Sequence, residues 1–285
     1  MSDDREGQGL FARASTRRSA LAFACFLFGA VGSACYLTAD FNGVADGKAL
    51  GDAGTSDAQA ESGLTADGAV AFNCLGSHLI CSTFDNGALD SDGWTIRQTD
   101  GGTVNLTTNE YVSPPASFHS LILSNNSASV LQGAFLTQKV RPMVGWKTLD
   151  FSFDFRLAGC NGKGGGITVL AISPSTEAVF GLVFGNNGLM WGQVVTNVGD
   201  GGSLFIPSQL TQQPKLKEWI RIDVKLSNPA KATVDITFDG VPVLKAQSQA
   251  PFTPAGNNVV SLGPDGTGTN AQCEMAFDNV TFDSQ

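Results

Sequence analysis

Leu149-Asp150-Phe151-Ser152-Phe153-Asp154-Phe155-Arg156-Leu157 alternates apolar and polar residues without a break. Successive side chains of a strand point to opposite faces, so this stretch forms a β-strand with one buried and one polar face. Ile220, Ile222, Val224 and Leu226 alternate with Arg221, Asp223 and Lys225 in the same manner. Val234, Ile236 and Phe238 run into Asp239-Gly240, a pair suited to a two-residue hairpin turn because both central positions need positive φ. The continuous apolar runs 167–172 and 178–184 predict strands covered on both faces, and Gly185-Asn186-Asn187-Gly188 supplies the next turn. No segment beyond the amino-terminal region keeps a helical period for about ten residues. About a dozen short strands between residues 71 and 285 fit an all-β, two-sheet antiparallel sandwich.

Composition narrows the function. The 285 residues include 17 Lys+Arg against 26 Asp+Glu, for a formal charge of −9. Nucleic acid is disfavoured, because phosphate binding draws its affinity from clustered cations. With 42% apolar and 15% charged residues, the chain can bury a core. Two histidines leave little material for a His-built metal or nucleophile site.

Residues 1–35 have the form of a signal peptide. Arg13, Arg17 and Arg18 precede an apolar run from Ala20 to Val31, then Gly32-Ser33-Ala34-Cys35. The run is shorter than the ~20 residues a bilayer span requires. Gly32 and Ala34 suit cleavage before Cys35, and the segment resembles a bacterial lipobox with Gly32 where Leu is usual. Cys35 is therefore the expected lipidated residue, and the cell envelope or exterior the expected location. Residues 36–70 carry Asp40, Asp46, Asp52, Asp57, Glu61 and Asp67 against Lys48, among Ala, Gly, Ser and Thr. That composition predicts a disordered acidic linker. Cys74, Cys81, Cys160 and Cys273 remain for the domain and allow three disulfide connectivities. Cys74–Cys81 would staple the start locally, and Cys160–Cys273 would join distant segments. Zinc is the competing use, but no Cys-x-x-Cys occurs and an export signal favours disulfides.

The domain opens on Cys81-Ser82-Thr83-Phe84-Asp85-Asn86. Gly93-Trp94, Gly101-Gly102-Thr103-Val104 and Ser113-Pro114-Pro115-Ala116-Ser117 follow. Glu218-Trp219-Ile220-Arg221-Ile222, the Asp239-Gly240 hairpin and Phe277-Asp278-Asn279-Val280 complete the order. This order resembles the concanavalin A-like lectin/glucanase superfamily, specifically laminin-G-like jelly rolls of bacterial surface lipoproteins. The resemblance implies two curved sheets, with any ligand on the concave face or rim loops. Fold alone assigns no activity.

Glucanases of the superfamily carry Glu-x-Asp-x-x-Glu, whereas Glu110, Glu177, Glu218 and Glu274 lie on different segments here. Asp150 and Asp154 share a strand face but stand ~13 Å apart, beyond the ~5–9.5 Å of glycosidase carboxyl pairs. His78 lies inside the Cys74–Cys81 loop, His119 lies in an apolar strand, and no Gly-x-Ser-x-Gly elbow is present. Phe-Asp-Asn recurs at 84–86 and 277–279, and terminal jelly-roll strands can be neighbours. Asp85 and Asp278 are thus candidate ligands of a structural calcium, with capping of turns as the alternative. A parity change after Phe277 predicts a bulge near Asp278-Asn279. For carbohydrate, Trp191 and Gln193 share one strand face and Asp154 and Arg156 share another; a groove forms if those faces meet. Otherwise Trp191 belongs to the core. The missing motifs point to a non-catalytic, carbohydrate-binding module. A structural or protein-docking envelope module is the alternative, followed by a glycan-active hydrolase or lyase.

Overall fold

The computed structural model describes residue 74 and residues 77–90, 92–99, 101–123, 131–141, 145–161, 166–198, 202–227, 229–254, 258–267 and 272–285. The segments expected to be a signal peptide and a linker, with Cys35 between them, lie outside the described residues.

Strands are numbered along the chain. The first sheet has the order β13 (Val241–Ser248), β12 (Thr233–Phe238), β11 (Trp219–Ser227), β6 (Thr148–Asn161), β15 (Gln272–Ser284), β4 (Ser117–Ile122) and β3 (Gly102–Thr107). The short β1 (Ile80–Ser82) also pairs with β15, so the first and last strands are neighbours as expected. The second sheet runs β10 (Gly202–Gln209), β9 (Gly188–Val198), β8 (Ala178–Gly185), β7 (Ile167–Ser173), β14 (Asn258–Thr267), β5 (Leu131–Val140) and β2 (Thr95–Gln98). Every strand pairing in both sheets is antiparallel. Among the described residues the sole helical element is one 3-10 turn, Pro229–Lys231. The architecture is a two-sheet jelly-roll sandwich.

Period-two alternation builds it. Leu149, Phe151, Phe153, Phe155 and Leu157 of β6 all point inward and are buried. The β6 phenylalanines meet Phe277 and Phe282 of β15, and Phe277 in turn meets Phe118 of β4, in ring contacts at centroid distances of 5.3 to 6.3 Å. Such tilted aromatic pairs each add ~1 kcal/mol beyond the area they bury. The second sheet answers with Leu136, Leu170, Ile172, Phe180, Leu182, Trp191 and Leu262. The Asp239-Gly240 turn has φ of 49° and 77° at its two residues, the geometry expected from the sequence.

Both disulfides of the local-plus-long-range pairing form, Cys74–Cys81 and Cys160–Cys273. Cys160 and Cys273 are direct partners in the β6–β15 ladder. The register of that ladder shifts between Asp278 and Thr281, and Asn279 has φ 49°, which is the bulge expected there.

Candidate functional site

The residues expected to form a ligand groove are not brought together. Trp191 is 0% exposed on the inner face of the second sheet, where its ring stacks on Phe180 with centroids 6.3 Å apart. Its Nε1 donates to Gln249 Oε1 at 3.2 Å. Gln193 is also buried: Nε2 donates to Ala250 O at 2.9 Å, and Oε1 accepts from Ala250 N at 2.7 Å. This pair of residues shares a face, as parity requires, but that face is the core. Asp154 and Arg156 lie on the outer face of the other sheet. Asp154 Oδ2 accepts from Asn279 Nδ2 at 2.6 Å, and its Oδ1 is 3.5 Å from Arg221 Nη1. Burial raises the Asp154 carboxyl above its ordinary value despite the Asn279 hydrogen bond and the Arg221 charge. Arg156 pairs with Glu110 and donates from Nε to Lys217 O at 3.2 Å. The hydrophobic core therefore separates the two halves of the expected groove.

Asp85 and Asp278 hold the chain itself. Asp278 Oδ2 accepts from the backbone N–H of Val112 and Ser113, both at 2.8 Å. Its Oδ1 accepts from Ser113 Oγ at 3.1 Å and Asn279 N at 2.8 Å. Asp85 Oδ1 accepts from Ala116 N at 3.4 Å. Both Phe-Asp-Asn motifs thus fasten the same Val112–Ala116 segment, one from near the first strand of the domain and one from its last strand. The donors aimed at Asp278 would repel a cation, and capping accounts for both aspartates. Among the described residues, no three His, Cys, Asp or Glu side chains gather as a metal site. Burial pushes Asp278 up to about 6 in spite of its four donors.

A different site emerges on the outward face of the second sheet. Strand register aligns Pro207, Gly192, Gly181, Ala171, Ser261, Thr137 and Thr95 in one row across all seven strands. All are small or short, so the row is a floor between taller neighbours. Pro207 and Thr95 at the edges are exposed; the five residues between them are buried although they point away from the core. Phe135 and Ala171 likewise are buried yet stand outside the core cluster. With strands ~4.8 Å apart, six spacings give a trough ~29 Å long.

Two aromatic rings lie on glycines beside this floor. A Cβ built on Gly192 would stand 2.3 Å from the Phe205 ring, and one built on Gly133 would stand 2.8 Å from Phe135 Cε1. Each ring can therefore rest on the sheet only because its neighbour is glycine. Four strand spacings separate β5 from β9, which places the two rings ~19 Å apart across the sheet. The same Cβ on Gly133 would stand 3.4 Å from Asp265 Oδ1, so the Asp265 carboxyl lies close to the Phe135 ring. Burial alone raises Asp265 to about 7. The hydroxyls of Ser261 and Thr137 are 3.5 Å apart on the floor, and Arg97 stands opposite Phe135 on the edge strand. A separate cavity of 640 Å³, lined by Trp146, Pro229, Phe252 and Pro254 among others, offers mostly apolar walls.

Sequence reasoning missed this trough. Its floor takes one small residue from each strand, so it has no linear signature. Asp265 sits in Gly263-Pro264-Asp265-Gly266, which has the composition of a turn but lies inside β14. The parity of Phe135, opposite to Leu136 and Ala134, was the available signal.

Fold and register together define a jelly-roll sandwich with a row of small and hydroxyl-bearing residues along the outward face of its second sheet. Two solved structures share this fold: the endo-β-1,4-glucuronan lyase of Trichoderma reesei and the cellulose-induced protein Cip1. The lyase aligns with a TM-score of 0.53 and 15% identity over 70% of this chain and 94% of its own. Cip1 aligns with a TM-score of 0.51 and 14% identity over 72% of this chain and 97% of its own. No family model matches the sequence, and no curated protein compared with it does. The paired disulfides indicate an oxidising compartment.

Proposed function

We propose that this protein is an exported, lipid-anchored glycan-binding module whose ligand lies along the trough of the second sheet. The observation that carries it is the half-buried Phe205 ring resting over Gly192 beside a hydroxyl-bearing floor. Sugar rings present an apolar face for stacking and hydroxyls for hydrogen bonding, and the trough offers partners for both. A row of this length suits an extended chain rather than a single sugar. The two structures of like fold, one titled a glucuronan lyase and one a cellulose-induced protein, agree with a glycan-related role. Because one of them is an enzyme, the fold does not separate binding from catalysis, and missing motifs no longer argue for a non-catalytic domain.

The test is retention of the full chain in gels containing β-glucans, xylans, alginate or polyglucuronate, after a glycan array. Phe205→Ala should weaken retention about tenfold, the value of one stacked ring at ~1.4 kcal/mol, with little change in thermal midpoint because Phe205 is half-buried. Silence on every glycan, or unchanged retention in Phe205→Ala, would return the domain to a structural or protein-docking role.

The anchor rests on Cys35 after a small-residue cleavage site. Cys35→Ser should move the protein from the membrane fraction to the soluble fraction. Continued membrane association of that variant, or a mature amino terminus without lipid, would remove the anchor from the assignment.

A further inference from the structure

The seven strands of the second sheet carry one carboxyl, Asp265, and two cations, Arg97 and Lys139, with no histidine, tyrosine or cysteine. Asp265 faces outward onto the trough, opposite Gly133 on one side and Thr168 on the other. Its carboxyl has no hydrogen-bond or ion-pair partner among the described residues, and the residue is half-buried beside Phe135. A carboxyl placed so costs folding energy, because its charge is desolvated without a partner. Asp154 and Asp278, by contrast, are compensated by hydrogen bonds. An uncompensated carboxyl beside a binding floor is the pattern expected of a functional group.

We propose that Asp265 is the acid–base group of a β-elimination that cleaves uronate-containing chains lying in the trough, with Arg97 receiving the uronate carboxylate. This activity presupposes the glycan trough described above. Among the described residues of these strands Asp265 is the one carboxyl, whereas glycoside hydrolysis uses a pair ~5–9.5 Å apart. Elimination needs one base and a cation that stabilises charge developing on the uronate carboxylate. Register puts Arg97 two strands and two residues from Asp265, ~12 Å between Cβ atoms. A sugar ring lying above the buried Phe135, which lies between them, and an extended arginine side chain span that gap together. Asp265 takes the proton from C5 of the uronate; the C–H electron pair forms the C4–C5 double bond. The bond from C4 to the glycosidic oxygen breaks, and the departing oxygen takes the proton back from Asp265. Atoms and charge balance without an added reactant. With its carboxyl raised to about 7, Asp265 is close to the pH at which one group can both accept and return a proton.

The full chain is incubated with polyglucuronate, polygalacturonate and alginate, and unsaturated uronate is followed by its ultraviolet absorbance while binding is read by gel retention. Expected are unsaturated products from at least one polymer, a rate that falls as pH drops through about 7, and a loss of about 100-fold or more in Asp265→Asn. Because burial favours the neutral form, Asp265→Asn should fold at least as stably as the native chain and still be retained by the polymer. Retention without unsaturated product overturns the elimination and leaves the glycan trough standing. Reducing ends without unsaturation, or full turnover in Asp265→Asn, also overturn it. Absence of retention on every polymer overturns the trough assignment as well.

Discussion

Trp191→Ala should destabilise the domain by about 3–5 kcal/mol, the usual cost of emptying a large aromatic site in a core. The ring is fully buried, stacks on Phe180 and donates its N–H to Gln249. Removing it leaves a void between the sheets and strands the Gln249 carbonyl without that donor. Urea denaturation should show a lower midpoint with little change in slope. Phe205→Ala, on the opposite face of the same sheet, should shift the midpoint far less. Equal midpoints for native and Trp191→Ala proteins would contradict the placement of Trp191 in the core.

Tryptophan 191 also shows how far sequence reaches. Parity correctly puts Trp191 and Gln193 on one face, and Asp154 and Arg156 on one face. Parity does not say which face meets the core. For Leu149 to Leu157 the answer is written in the residues, because every alternate position is apolar. For Trp191 it is not: Gln193 is polar, yet it turns inward because Ala250, far along the chain, satisfies both ends of its amide. The repeated Phe-Asp-Asn was legible as a motif, and its position at neighbouring chain ends was legible too. Its use was not, since the donors belong to Val112, Ser113 and Ala116, which no spacing rule links to Asp85 or Asp278. Fold class follows from local alternation; the trough follows from register between strands, and a sequence records register only indirectly.

Replacing both Cys160 and Cys273 by Ala should cost about 4–5 kcal/mol, and replacing Cys74 and Cys81 about 2–3 kcal/mol. The difference comes from the unfolded chain. Cys160–Cys273 spans 113 positions and Cys74–Cys81 spans 7, so the long bridge removes much more loop freedom from the unfolded ensemble. The long bridge also crosses directly paired positions of β6 and β15, the strands that carry five of the ten buried phenylalanines of the core. Chemical denaturation of the two double variants should rank them in that order. A larger loss from the Cys74–Cys81 pair would mean that native-state packing around residues 74–81, rather than chain entropy, sets the contribution of the bridges.

The trough ends at Pro207 on one edge strand and Thr95 on the other, and both are exposed. A floor open at both ends requires no free terminus of its polymer. A long chain can settle into it sideways at any interior point, with unbound polymer trailing past each edge. Affinity should then climb with oligomer length until the floor is filled, and level off beyond it. Capping a chain's ends would leave its occupancy unchanged, whereas side branches would hinder it by standing clear of the sheet over Gly181 and Gly192.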